Sequence, residues 1–137
     1  MVQQTEFRLS PRRRGCHLIT REIFGHLPAP MPRAGLLNIF VKHTSCALTI
    51  NENADPDVLT DLDAILDRVV PDSQPYYSHT LEGPDDMSAH AKSTLAGVSL
   101  TIPVTDGRLN LGMWQGIYLC EFRDHATPRT IVLTLIS

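Results

Sequence analysis

Strand-type apolar runs stand towards both ends of this chain, and helix-type periodicity lies between them. That order constrains the fold more than any other feature of the sequence. Gly35 to Lys42 carries Leu36, Leu37, Ile39, Phe40 and Val41 in near-continuous succession and reads as a buried strand. Ala47 to Ile50, Val98 to Val104 (broken at Pro103), Trp114 to Phe122 and Thr130 to Ile136 read as further strands. Residues 3–9 open the chain as a strand, and Cys16 to Ile19 follow as another. Between these lie the helices. Asp55-Pro56 is a helix start, a capping residue followed by proline at the first helical position. Val58, Leu62, Ile65, Leu66 and Val69 then recur at helical spacing through Val70, and Pro71 ends the run. Ser88 to Ala96 reads as a helix closed by Gly97, and Thr20 to about Leu27 as a short one capped by Thr20. Pro28, Pro30 and Pro32 forbid helix and leave a stiff connector. Seven or so strands with two or three helices in this order make an α+β fold, not an alternating βαβ fold.

At 137 residues the chain is one domain, spanning 1–137. Hydrophobic residues at 42% and charged residues at 20% are ordinary for a globular protein and exclude a disordered one. No apolar run approaches the roughly 20 residues of a membrane span. Met1 to Ser10 is polar and lacks the apolar stretch of a signal peptide. A net charge of −3 argues against a general nucleic-acid binder. The short basic cluster Arg12-Arg13-Arg14 reads as a solvated loop, with an anion contact as the alternative. Three cysteines without CxxC spacing form no disulfide framework, so a cytoplasmic protein is expected.

Histidine is over-represented, with six in the chain, and it is both the commonest metal ligand and the side chain that titrates near neutral pH. His43-Thr44-Ser45 closes a strand and precedes Asn51-Glu52-Asn53-Ala54-Asp55, where polar residues at strand ends suit a pocket. Asp55 has a second reading as a helix cap, and Asn51 and Asn53 as turn residues. A second cluster packs His79, Glu82, Asp85, Asp86 and His90 into twelve residues. The spacing lacks a helix-borne HExxH pattern. If the loop folds back on the helix, His43, His79 and His90 converge as a three-histidine metal site with one open position. Surface histidines beside a capped helix are the alternative. A third cluster, Trp114-Gln115 between Gly112 and Gly116, offers a stacking ring and an amide, or else a core tryptophan. Arg129 reads as a phosphate-holding group or a solvated rim charge. No GxxxxGK[ST], GxGxxG or GxSxG motif is present.

Taken as blocks, these residues resemble the YjbQ family, often labelled secondary thiamine-phosphate synthase. The blocks are Gly15 to Thr20, His43-Thr44-Ser45, Leu48 to Pro56, His79 with Glu82-Gly83 and Asp85-Asp86-Met87, Ala89 to Ser93, and Leu111 to Leu119. They cover nearly the whole chain in order and spacing. The resemblance implies a β-sandwich-like, mostly antiparallel fold with flanking helices, assembled as a homotrimer. It also implies a site drawn from His43, Thr44, Ser45, Asn51, Asn53, Asp55, His79, Glu82, His90, Trp114 and Gln115.

Three functions follow as expectations. The first is the family label: an enzyme joining a pyrimidine diphosphate to a thiazole phosphate with release of diphosphate. Leaving-group charge would then be neutralised by a divalent metal, Arg or Lys. Asp55, Glu82 and Asp85 would bind Mg²⁺, Trp114 would stack the pyrimidine and Arg129 would hold phosphate. The second is a hydrolase of an unknown phosphorylated or amide substrate, with zinc or another transition metal on His43, His79 and His90, and Glu82 or Asp55 as base. The third is a non-catalytic module for a small anionic metabolite. A small phosphorylated ligand is common to the leading readings, and neither nucleic acid nor membrane is an expected partner.

Overall fold

The computed structural model describes every residue from Met1 to Ser137. In chain order the elements are β1 (Val2–Leu9), β2 (Gly15–Leu18), α1 (Thr20–Gly25), β3 (Ala34–Val41), β4 (Cys46–Glu52) and α2 (Pro56–Val69). There follow α3 (Asp86–Ala96), β5 (Ser99–Thr105), β6 (Arg108–Leu109), β7 (Gln115–Glu121) and β8 (Arg129–Ile136). The α+β reading holds. One sheet runs β1-β8-β3-β5-β6 and the other β2-β7-β4, with every strand pair antiparallel.

Alternation puts Leu37, Ile39 and Val41 of β3 and Ile131, Leu133 and Leu135 of β8 on one face of the larger sheet. They pack against Leu48, Ile117 and Leu119 of the smaller sheet, with Ile19 and Ile23 of the α1 segment closing one side. The smaller sheet is covered on its other face too. There Ala47, Cys120 and Phe122 meet Ala89 of α3 and Leu66 of α2. Coverage on both faces explains why β7 is buried from Gly116 to Glu121, and why its sequence is a continuous apolar run, not an alternating one.

The helices are tied down by charge as well as by packing. Lys92 of α3 is buried, with its ammonium 2.5 Å from Asp67 of α2 and 5.7 Å from the Phe122 ring centre. Arg14 reaches Asp67 at 3.1 Å and Asp72 at 2.9 Å. Burial opposes ionisation of Asp67, but the hydrogen bonds from Lys92 and Arg14 outweigh it and hold the carboxyl below its usual range. No helix is long and apolar enough to cross a membrane.

Three sequence expectations change. Strand β5 runs through Pro103 instead of breaking there. The Pro103 carbonyl accepts from Asn110 N–H at 2.8 Å, on the side of β6. That two-residue strand pairs only with Val104 and Thr105, so no ladder bond requires the N–H that proline lacks. The β5–β6 turn uses Asp106 (φ 50°) and Gly107 (φ 77°), the left-handed pair that a two-residue hairpin needs. Thr20 does not cap α1; its hydroxyl instead accepts from Ile117 N–H at 2.9 Å and ties the helix to β7. Helix α3 begins at Asp86, two residues ahead of the expected Ser88, and this changes which side chains share its first turn.

Candidate metal centre

Strand β4 separates the expected site residues. His43, Thr44 and Ser45 precede it; Asn51 stands near its end and Asn53 and Asp55 lie beyond. At about 3.3 Å per residue, its seven residues set the two groups roughly 20 Å apart. Gln115 pairs with Glu52 at the far end, so Trp114 and Gln115 join the Asn51 group and not the histidines. Asp55 is the N-cap of α2, its carboxylate accepting from Asp57 N–H at 2.9 Å. Asn51 accepts from Glu52 N–H at 2.8 Å, and Gln115 closes a turn by accepting from Gly112 N–H at 2.7 Å. Trp114 is 59% exposed and is not a core residue.

Arg129 is not a solvated rim charge: it is buried, with Nε and Nη2 committed to a buried network. Its guanidinium donates to both oxygens of the buried Glu121, Nε–Oε1 at 2.7 Å and Nη2–Oε2 at 2.5 Å, and to the Ser45 hydroxyl at 2.9 Å. Ser45 is thereby committed to the same buried network.

At the near end four groups converge. One ligand atom each from His79, Glu82, Asp86 and His90 lies within 4.8 Å of the others. His79 comes from the loop before α3, and Glu82 lies three residues on. Asp86 and His90 are one helical turn apart, on the same face of α3. His79 Nε2 stands 2.6 Å from Asp86 Oδ2 and 3.2 Å from Glu82 Oε2. His90 Nε2 stands 2.9 Å from the same Asp86 oxygen. Hydrogen bonding to Asp86 raises His79 above its ordinary value, against the effect of burial. Burial alone would raise Asp86, but the hydrogen bond from His79 together with the other polar and charged neighbours, Arg123 among them, outweighs this and lowers it.

The tautomer of His90 follows from its other nitrogen. Nδ1 lies 2.7 Å from the Thr44 carbonyl, which can only accept, so Nδ1 carries the hydrogen. If the ring is neutral, Nε2 then aims a lone pair at Asp86 Oδ2; if it is protonated, Nε2–H donates to that oxygen. Two acceptors face each other closely only when a proton or a cation stands between them. An imidazole N–H donated to a main-chain carbonyl is also the usual outer-shell support of a metal-bound histidine. Two nitrogens and two carboxylate oxygens suit zinc or a neighbouring first-row ion better than magnesium, which prefers oxygen alone.

His43 lies outside this set, so the expected His43–His79–His90 triad is not what the chain assembles. His43 Nε2 accepts from the main-chain N–H of Thr130 at 2.8 Å. That nitrogen is therefore committed, and the neutral ring carries its hydrogen on Nδ1. Burial, aided by the nearby Arg129, lowers its basicity. His43 is thus set up as a hydrogen-bond donor, not as a base or ligand. It lines a cavity of about 760 Å³ with Phe40, Thr44, His90, Thr94 and Val98. A second cavity, about 410 Å³, lies on the His79 side against Tyr77, Thr80 and Pro84. The Mg²⁺ set expected from Asp55, Glu82 and Asp85 does not form, because Asp55 caps α2 and Asp85 is held by Arg123.

Arg123 is the site residue that the sequence alone does not single out, and Asp86 is one that the sequence places in the cluster without giving it a ligand role. Asp86 becomes readable as the i, i+4 partner of His90 once the helix start moves back two residues. Arg123 carries no local signal, since its partners lie about forty residues away.

The fold and this cluster define a two-sheet α+β domain with a mixed histidine–carboxylate centre between two cavities. Comparison with known proteins gives the family. The family described as UPF0047 protein YjbQ-like matches residues 5–137, and the chain belongs to it. It is 48% identical over 136 residues to UPF0047 protein YjbQ of Salmonella typhimurium, covering 98% of each chain. It is 42% identical over 119 residues to UPF0047 protein YugU of Bacillus subtilis, covering 87% of each. Among solved structures it superposes on a conserved hypothetical protein of Thermus thermophilus with TM-score 0.80 at 38% identity, covering 93% of this chain and 97% of that one. A hypothetical protein of Aeropyrum pernix gives TM-score 0.84 at 29% identity, covering 100% and 98%.

Proposed function

We propose that this chain is a metal-dependent hydrolase of small phosphorylated substrates, with a zinc-class divalent ion held by His79, Glu82, Asp86 and His90. The observation that carries this reading is the His90 tautomer. Its Nδ1–H is given to Thr44, which leaves Nε2 as the ring atom that faces the Asp86 carboxylate across the position where a proton or a metal ion stands. When bound, such an ion supplies Lewis acidity towards a phosphoryl oxygen. Glu82 ligates through one oxygen, and the other oxygen of this exposed carboxylate is the group placed to take a proton from an attacking water. His43 offers an N–H to the part of the substrate in the larger cavity.

One observation favours a second reading, the thiamine-phosphate-synthase-like transfer that the family label suggests. The centre stands between two separate cavities, which suits two substrates better than one. We also infer a cytoplasmic homotrimer. Three free cysteines fit a reducing compartment. Exposed Leu36, Phe40 and Ile136 on the outer face of the larger sheet fit a surface covered by another copy. In such a trimer the Trp114–Asn53 end of one copy can approach the histidine end of the next.

Purified protein, zinc-loaded and chelator-stripped, tests these readings. It is assayed on phosphate esters and on a pyrimidine diphosphate with a thiazole phosphate. Zinc-dependent phosphate release supports hydrolysis, and zinc-dependent thiamine phosphate formation supports transfer. A ligand-induced thermal shift with no turnover in either assay overturns both in favour of a binding module.

A further inference from the structure

We infer that Arg123 is the positioning residue of the metal centre: its guanidinium divides the two oxygens of Asp86, holding Oδ1 so that Oδ2 faces His79 and His90. The inference rests on the metal reading above and deepens it.

Arg123 lies just beyond β7 and reaches across to the loop that carries the ligands. Nη1 donates to Asp86 Oδ1. Nε donates to Asp85 Oδ2 at 2.9 Å, and Nη2 to the Glu82 carbonyl at 2.9 Å. One planar fork thus holds the main chain of one candidate ligand, Glu82, the carboxylate of another, Asp86, and the carboxylate of Asp85, which lies between them in the chain. Its own position is fixed from behind. Its main-chain N–H donates to Glu121 at 3.2 Å, and Asp85 Oδ2 also accepts from Asp124 N–H at 2.8 Å. The turn it grips needs Gly83, whose φ is +111° and whose added Cβ would stand 3.1 Å from the Asp85 carboxylate. Lysine cannot reproduce this pattern, because an ammonium is a point charge without the planar fork.

Charge points the same way. Glu82, Asp85 and Asp86 bring three negative charges, and Arg123 offsets one. Two negative charges remain, which matches a divalent ion. A guanidinium that acted only by its charge would repel the metal, so its removal would tighten binding. A guanidinium that acts by position has the opposite effect, since Asp86 would be free to turn its oxygens away.

The experiment is zinc titration of wild type, Arg123→Lys and Arg123→Gln, with thermal unfolding of the metal-free proteins alongside. Cobalt absorption of each variant reports ligand geometry. Outer-shell loss costs about 10–100-fold in metal affinity, and both variants are expected to fall in that range with an altered cobalt spectrum. Arg123→Lys keeps the charge and carries the test if Arg123→Gln does not fold. Zinc affinity of Arg123→Lys within about twofold of wild type, or tighter binding by Arg123→Gln, overturns the positioning role. Wild type that binds no zinc overturns the metal reading itself, and the positioning role with it. A change in unfolding temperature with zinc affinity unchanged marks Arg123 as a structural ion pair only.

Discussion

His90 donates its Nδ1–H to the main-chain carbonyl of Thr44 at 2.7 Å, and this one bond decides which nitrogen of the ring is free for chemistry. Thr44 lies in the segment between β3 and β4, so the sheets themselves orient a ligand carried by α3. His90→Ala removes an inner ligand. Its zinc affinity is expected to fall by more than the 10–100-fold that an outer-shell partner costs. His43→Gln is expected to leave zinc affinity unchanged. Calorimetric titration of the two variants separates the four-residue centre from the three-histidine one.

His43 also has a pH signature. Its unfolded-state pKa is near 6.5, and burial with Arg129 nearby lowers it in the folded protein. Between the two values the unfolded chain holds the extra proton. Stability is therefore complete above pH 6.5 and falls as the pH drops from there towards the folded value. In His43→Gln the new amide offers an oxygen to the Thr130 N–H but brings no titrating group. The stability advantage of wild type over this variant should shrink from pH 7.5 to 5.5, by less than the limiting slope of about 1.4 kcal/mol per pH unit. Denaturant unfolding at the two pH values reads the difference, and the other histidines cancel in it.

The Arg129–Glu121 pair has its arginine 4% and its glutamate 0% exposed, so neither charge can turn to water if the other is lost. Arg129→Met is expected to cost about 3–5 kcal/mol, measured by denaturant unfolding. The double variant Arg129→Met with Glu121→Leu should recover most of it, because an uncharged pair leaves no stranded carboxylate. A double variant no more stable than the single one would mean that the Ser45 contact, not the ion pair, carries the energy.

Asp55 is the residue whose two readings differ most. As a cap, Asp55→Ala should cost about 1 kcal/mol and leave zinc affinity and any turnover per folded molecule unchanged. Asp55→Asn should keep most of the stability, since asparagine caps equally well. A loss of turnover in Asp55→Asn at full stability would return Asp55 to the site.

The fold is largely legible in the sequence because its signals are local. The apolar run at β3, the alternation in β8 and the Asp55-Pro56 start of α2 each lie within a few residues, and each element stands where those signals place it. Strand β6 escapes because two residues carry no pattern. The site is legible only in part. His79, Glu82 and His90 stand out as chemistry-bearing residues. Asp86 stands in the same cluster, but its ligand role is hidden by a helix start placed two residues late, which moves it off the face it shares with His90. The Asn51, Asn53, Trp114 and Gln115 block looks like part of the same site, yet strand β4 carries it to the opposite end of the fold. Arg129 reads as a phosphate-holding group or a rim charge because no sequence pattern shows that Glu121, at the end of β7 in the other sheet, faces it.

The most direct test is the zinc content of protein titrated with zinc and freed of loosely held ion, for wild type, His79→Ala and His43→Gln. His79 is partly exposed, so its truncation leaves the core intact. The expected result is one zinc per chain in wild type and His43→Gln, and little or none in His79→Ala. Wild type that retains no zinc, or His79→Ala that retains as much as wild type, contradicts a metal centre on His79, Glu82, Asp86 and His90.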